Sequence, residues 1–485
     1  MTTLVLVLYG LGLAIAAVAV WRRPIVALYL FIVGLALHNL VLSLLYDAGL
    51  RGWEIDIVQA WKEILLAVAV ARVGLDVARA LRLPFELRLV DWLALAFGAF
   101  VCLYALVPQG VLDGEAGPRA VFYGLRHGLV PVVAYFLGRA IVLDRRELRR
   151  IGWALLGAGA ALAVGGLVDL YGVDVEWWRG SGAVGYFRYE LGFDYHGPGG
   201  LPDNWAFNTE DGLFRRLVSS FISPLATAFA LVVALLFAGI AWQDRRRRLL
   251  AAVLVALCAV ALLFTLSRSS LLALAGGFVV LAIALKRWWP IAATALVLAA
   301  GVGFAFAFTS LAPQTHFFPE DLPYQEQQAR EHGDLPGGGS LALNPGEPSL
   351  RSHWRSLRDG IETVFRHPQG YGLGNAGAIA VRFGVPLRAG ESNYTETGVE
   401  TGIVGALVLI AWSLAFLFAL VRSAWSAGND TVRFAAAGAA AALAAVLALA
   451  VQTDAYGVPW LAYCLWWIAG GLVSPREGSP VLPAA

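Results

Sequence analysis

An all-α, polytopic transmembrane helical bundle of about 12–13 spans, with a large extracytoplasmic loop containing short helices, is the fold class this sequence predicts. Three observations predict it. Of 485 residues, 59% are hydrophobic and 14% charged, whereas a soluble globular domain carries about 25% charged residues. The apolar residues gather into runs long enough to cross a hydrocarbon core. Arginine and lysine are plentiful in every second connection between those runs and scarce in the others.

The runs, taken in order, justify the spans. The first, 3–20, follows an N-terminus without basic residues, so it reads as a span and not as a cleaved signal peptide. Spans at 24–46, 55–76, 90–108, 119–142 and 151–171 follow, then 216–241, 249–266, 270–285 and 290–309. A last group covers 399–421, 433–452 and 457–473. Arg22-Arg23 follow the first span, Arg79, Arg82 and Arg88 the third, and Arg145 to Arg150 the fifth. Arg245 to Arg248 follow the seventh, Lys286-Arg287 the ninth and Arg422 the eleventh. These basic connections are expected to be cytoplasmic and the alternate ones extracytoplasmic. Three regions result: a transmembrane region 1–309, a large extracytoplasmic loop 310–398, and C-terminal spans with a short cytoplasmic tail, 399–485.

Composition excludes several function classes. A net charge of +2 does not suit nucleic-acid binding. Cys102, Cys258 and Cys464 all lie in apolar runs without a CxxC pair, so neither a disulfide framework nor a metal site is indicated. No internal repeat or matching pair of broken helices points to a transporter.

Two extracytoplasmic connections are long. The one at 172–215 is rich in Trp, Tyr, Gly and Asp; its Trp177, Trp178, Trp205, Tyr186 and Tyr189 suit either sugar stacking or an interfacial belt. In 310–398, Pro336 to Ser340 reads as a flexible stretch. A helix is expected to follow it. Leu350, Trp354, Leu357, Ile361 and Val364 form its apolar stripe, and Arg351, Arg355 and Arg358 share another face. Such a helix suits an anionic lipid-linked ligand, or a resting place on phospholipid headgroups.

Ionisable residues also cluster toward the outer ends of different spans: Lys62 and Glu63, Arg126 and His127, Arg215 and Arg216, and Arg268. Charges inside spans are costly and rare without a purpose. Together they predict an outward-facing cationic cavity; singly, each also fits a local ion pair or a snorkelling side chain. A polyprenyl pyrophosphate sugar would match the cavity. Its tail suits lipid, its glycan suits the aqueous loops, and arginine forks bind phosphate oxygens bidentately.

Four short motifs carry a family resemblance. They are Arg216-Leu217-Val218-Ser219-Ser220-Phe221-Ile222-Ser223-Pro224 and Thr265-Leu266-Ser267-Arg268-Ser269-Ser270. The third runs from His367 to Asn375, and the last is Ser392-Asn393-Tyr394 followed by Glu400 to Gly405. In this order they resemble the bacterial O-antigen ligase and O-antigen polymerase superfamily, integral membrane glycosyltransferases of the GT-C type. The resemblance covers about Arg215 to Trp412.

It implies a donor glycan on undecaprenyl pyrophosphate, a glycan acceptor hydroxyl, and attack at the outer face of the bacterial inner membrane. Arg216 and Arg268 would hold the pyrophosphate, with Arg215 and Arg355 assisting. Lys62, Arg126, Arg351 and His353 complete the expected substrate-binding set. Glu391 is the expected base, with Asn393 and Tyr394 positioning sugar. Transfer would invert configuration, with no cofactor and no metal. Membrane lipid and a chain-length regulator protein are the further expected partners. One departure matters. The family's ligases carry a histidine where this chain has Ser392, between Glu391 and Asn393. That favours a polysaccharide polymerase over a ligase acting on lipid A-core. A flippase for the lipid-linked glycan is the alternative from another class.

Overall fold

The computed structural model describes residues 2–209, 211–332 and 348–473. The stretch expected to be flexible, Pro336 to Ser340, and the C-terminal tail lie outside them. The described chain is an all-α polytopic bundle. Its first half comprises α1 (Thr2–Arg22), α2 (Ile25–Asp47), α3 (Trp53–Gln59), α4 (Trp61–Ala80), α5 (Leu89–Leu106), α6 (Pro118–Ala140), α7 (Arg145–Gly172), α8 (Val175–Gly180) and α9 (Ala183–Gly185). Next come α10 (Pro224–Ala241), α11 (Arg248–Phe264), α12 (Arg268–Leu285) and α13 (Trp289–Leu311). The remainder is α14 (Leu322–His332), α15 (Pro348–Arg366), α16 (Gly377–Arg382), α17 (Asn393–Ser426), α18 (Asp430–Leu449) and α19 (Pro459–Gly470).

Among the described residues, eleven helices are long and apolar enough to cross a membrane. The sequence reading of thirteen exceeds this by two. The third drafted span divides at Ala60 into α3 and α4, and α4 carries Lys62, Glu63, Arg72, Asp76 and Arg79. The last drafted span forms only the 12-residue α19, about 18 Å at 1.5 Å per residue, against a hydrocarbon core of about 30 Å. The seventh also starts late. Residues before Pro224 form a strand and a single 3-10 turn at Ser219–Phe221, not α-helix.

Small side chains set the centre of the bundle. Ala435, Ala436, Ala437 and Ala439 to Ala442 of α18 are fully buried, and α18 packs on α10, α12, α17 and α19. Helix α19 lies against α6 at backbone distance: a Cβ on Gly138 would stand 2.1 Å from the Trp467 carbonyl oxygen. By contrast α1 and α13 turn Leu4, Leu8, Ile15, Leu296 and Phe306 outward, as lipid-facing peripheral helices do.

One end of the bundle is closed by a buried network. Arg139 Nε donates to Asp91 Oδ1 at 2.9 Å, and the Tyr135 hydroxyl donates to the same oxygen at 2.6 Å. Arg139 also reaches the carbonyls of Val473 and Glu86 at 2.7 and 3.1 Å. Removing one partner leaves an uncompensated buried charge. Arg139→Ala is therefore expected to cost about 3–5 kcal/mol, read as a lower unfolding temperature in detergent; an unchanged transition would contradict it.

The opposite end carries the long connections. There, β1 (Ala206–Thr209), β2 (Gly212–Arg215) and β3 (Gln314–Thr315) form an antiparallel sheet in the order β1-β2-β3. Leu213 pairs with Thr315, so the sheet joins the two long connections. Asp321 tightens the join by accepting from the amides of Gly199 and Phe318 at 2.7 and 2.9 Å.

Candidate active site

A cavity of about 1480 Å³ lies at this end. Of the residues singled out in the sequence, it gathers Lys62, Arg126, Arg216, Arg268, His353 and Glu391, with His127 and Glu63. They come from α4, α6, the β2–α10 connection, α12, α15 and the turn before α17.

The turn between α11 and α12 sets the two arginines nearest the centre of the chain. Leu266 takes the left-handed conformation, φ 46°, and ends the α11 segment. The Ser267 hydroxyl accepts from the Ser270 amide, so α12 begins at Arg268. Arg268 thus stands at a helix N-terminus, an end where anions are favoured. Arg216 spans the same turn. Its Nε donates to the Thr265 carbonyl at 2.8 Å, and another guanidinium nitrogen donates to the Asn204 carbonyl at 3.0 Å. Those bonds fix the side chain in one orientation.

On another wall, His353 Nδ1 lies 2.5 Å from Glu391 Oε2. Helix α15 docks through Ser356, whose hydroxyl donates to the Gly390 carbonyl at 2.8 Å, and through Gly360 and Val364. Glu391 is held at φ 69°, a conformation uncommon for a side chain of its kind. Beside it, Ser392 is buried and donates to the Ala450 carbonyl at 3.3 Å, away from the cavity.

Five sequence-proposed residues are not among those lining the cavity. Arg215 is 3% exposed; its guanidinium contacts both Asp169 oxygens at 3.3 Å and lies over the Trp205 ring. A desolvated guanidinium requires an anion, and Asp169 on α7 supplies it. Asn393 donates to Asp454 Oδ1 at 2.5 Å and accepts from the Tyr456 amide at 3.1 Å. The Tyr394 hydroxyl donates to the Leu447 carbonyl at 3.0 Å. Arg351 and Arg355 lie on the exposed face of α15. Of the aromatic residues expected to meet sugar, Tyr186 lines the cavity; Trp178 and Trp205 are buried structural residues, and Trp177 and Tyr189 are exposed elsewhere.

The glycine run beside the site is a clasp. Gly370, Gly372 and Gly374 have φ of 78°, 91° and 83°. They let the chain follow the kink that Gly402, φ 72°, makes in α17. The amides of Tyr371 and Gly372 donate to the carbonyls of Val399 and Glu400, and the Gly374 amide donates to the Glu400 carboxylate at 2.7 Å. The third and fourth motifs thus hold each other.

Residues that the sequence reading missed also line the cavity: His38, Tyr123, Arg382 and Asp454. Arg382 sits over the Tyr123 ring at 4.4 Å, and burial lowers its pKa. Asp454 had a legible signal, an acid in the short connection after α18 on the same side as the long ones. Among the described residues, His127, Glu396 and Asp454 are a group that could hold a metal ion, with ligand atoms within 4.8 Å of one another. Asp454 Oδ1 already accepts from Asn393 and from the Gly457 amide at 2.7 Å.

The cavity has an apolar arm. Leu263, Leu271 and Leu272 line it with Val297, Leu298 and Val302 of α13, and Leu272 and Val302 also face the bundle's periphery.

Fold and site together define a multi-pass membrane protein with a cationic cavity at one end that continues into an apolar arm. Residues 253–410 match the family model described as O-antigen ligase. That segment, which carries Arg268 and the His353–Glu391 pair, is similar to the O-antigen ligase family over about a third of the chain. No curated protein matches the chain.

Proposed function

We propose that this protein is a polysaccharide polymerase. It transfers a glycan from undecaprenyl pyrophosphate to a hydroxyl of another lipid-linked repeat unit, at the outer face of the inner membrane. The observation that carries the reading is the joining, in one cavity, of an apolar arm, Arg216 and Arg268, and the His353–Glu391 pair. The arm takes the polyprenyl tail. Arg268, at the start of α12, and Arg216 neutralise charge as the pyrophosphate departs. The His353–Glu391 pair accepts the proton of the attacking hydroxyl. The carbon–oxygen bond to pyrophosphate breaks as the new glycosidic bond forms, so a single displacement inverts the anomeric centre. Arg215 acts on the fold, holding the hairpin to α7.

The test is a reconstituted assay with a synthetic lipid-linked repeat unit as donor and acceptor. A ladder of lipid-linked oligomers supports polymerisation. Transfer only when lipid A-core is added supports the ligase reading. Movement of the lipid-linked unit across the membrane without a new bond supports a flippase.

The orientation has its own test. Reporter fusions at Asp194 are expected to report the outside, and fusions at Arg246, in the arginine run before α11, the cytoplasm. A cytoplasmic signal at Asp194 would overturn the outward-facing site.

A further inference from the structure

The cavity carries a second cationic group, on a wall distinct from that of Arg216 and Arg268. Lys62 of α4, Arg126 of α6 and Arg382 of α16 build it. Helices α4 and α16 both pack on α6, whereas Arg268 belongs to α12, which packs on α10, α13 and α18. Arg126 and Arg382 each stand 4.4 Å from the centroid of the Tyr123 ring, which serves both as a platform. Lys62 is only 4% exposed, held by the Gln59 carbonyl at 2.8 Å.

The charges do not balance. Among the described residues, Glu63 is the carboxylate in ion-pairing contact with this group, 3.5 Å from Lys62 and 3.1 Å from Arg126. Arg382 donates to the Glu190 carbonyl at 3.1 Å, and Asp56 acts on it only through space. Asp454 faces His127, at 3.6 Å. Three cations against one paired carboxylate leave a positive wall beside water-accessible volume. Such a wall gains most from an anion with several acceptor oxygens.

We propose that Lys62, Arg126 and Arg382 form an acceptor subsite that binds phosphate, so that the enzyme joins two anionic substrates, one per cationic wall. The inference rests on the transfer reading above. The shared chemistry is a phosphate group near the acceptor sugar, supplied by a lipid-linked diphosphate or by a phosphorylated core sugar. One wall holds the leaving pyrophosphate and the other holds the acceptor's phosphate, which keeps the two glycans from exchanging places.

The test uses the full chain in nanodiscs of uncharged lipid. Calorimetric titration with inorganic pyrophosphate is expected to show two sites per protomer. Arg126→Gln/Arg382→Gln should weaken one of them about 10- to 100-fold, the usual loss when hydrogen bonds to a charged group are removed, and leave the other intact. Arg268→Gln should do the reverse. The surviving site in each variant reports that the protein is folded. With lipid-linked substrate, the double variant should raise the acceptor KM by a similar factor at little change in kcat, and Arg126→Lys/Arg382→Lys should recover part of it.

Titration with glucose 1-phosphate separates the sources. Stronger competition by pyrophosphate at this subsite indicates a lipid-linked diphosphate, and equal competition indicates a phosphorylated core sugar; both support an anionic acceptor. A single pyrophosphate site, lost in Arg268→Gln and unchanged in Arg126→Gln/Arg382→Gln, would overturn the second subsite and leave the transfer reading standing. No pyrophosphate binding to the unaltered protein would overturn both.

Discussion

Arg268→Ala is expected to lower glycan transfer by about 10²–10³-fold, with membrane insertion retained. Negative charge develops on the pyrophosphate only as its bond to the sugar lengthens, so a cation placed there stabilises the transition state more than the bound donor. Arg268 opens α12, where backbone amides add to the same field. Arg268→Lys retains the charge but loses the planar fork, and is expected to recover only part of the activity. Arg216→Ala also removes bonds to the carbonyls of Thr265 and Asn204, so its effect on the fold must be measured beside its effect on transfer. Wild-type turnover in Arg268→Ala would remove the pyrophosphate role.

The second large effect concerns the His353–Glu391 pair. A carboxylate bonded to Nδ1 of a histidine fixes the tautomer and steadies the imidazolium that forms when the ring accepts a proton. His353→Ala is expected to lower kcat by about 10²–10⁴-fold, the range for loss of a general base. Glu391→Gln keeps the size and a hydrogen bond but cannot steady the cation, and is expected to lose about 10²-fold. The order of the two identifies the base. A larger loss in Glu391→Gln than in His353→Ala would make the carboxylate itself the proton acceptor. Full activity in both, with pyrophosphate binding intact, would leave acceptor activation to solvent.

Hydropathy and the alternation of basic connections made the bundle legible, because lipid imposes both. The two drafted spans beyond the eleven, α4 and α19, fall short for local reasons: α4 carries five charged residues and α19 has only 12 helical residues. The site was legible as a set of charges at one depth, not as individual contacts. Arg215 and Arg216 show why. Successive residues of an extended chain point to opposite faces, so one meets Asp169 of α7 and its neighbour meets the cavity. Nothing in two adjacent arginines says which is which.

Helix α15 gives a similar lesson. Trp354 and Ile361 of its apolar stripe are 71% and 44% exposed, while Ser356, Gly360 and Val364 dock on the turn at Gly390 and on α17. That docking face sends Ser352 and His353 into the cavity and leaves Arg351 and Arg355 outside. The side chain of Leu350 lies outside those described. Arg382 gave no sequence signal, because a lone arginine after a glycine run has no partner in sequence. Its place beside Arg126 exists only once α16 packs on α6.

The most direct test of the central account is the release of undecaprenyl pyrophosphate by the purified protein in nanodiscs supplied with a synthetic lipid-linked repeat unit. One released lipid per new glycosidic bond, with inverted anomeric configuration and loss of both signals in Arg268→Ala, is the predicted result. Transport of the lipid-linked unit with no lipid released and no bond formed would contradict it.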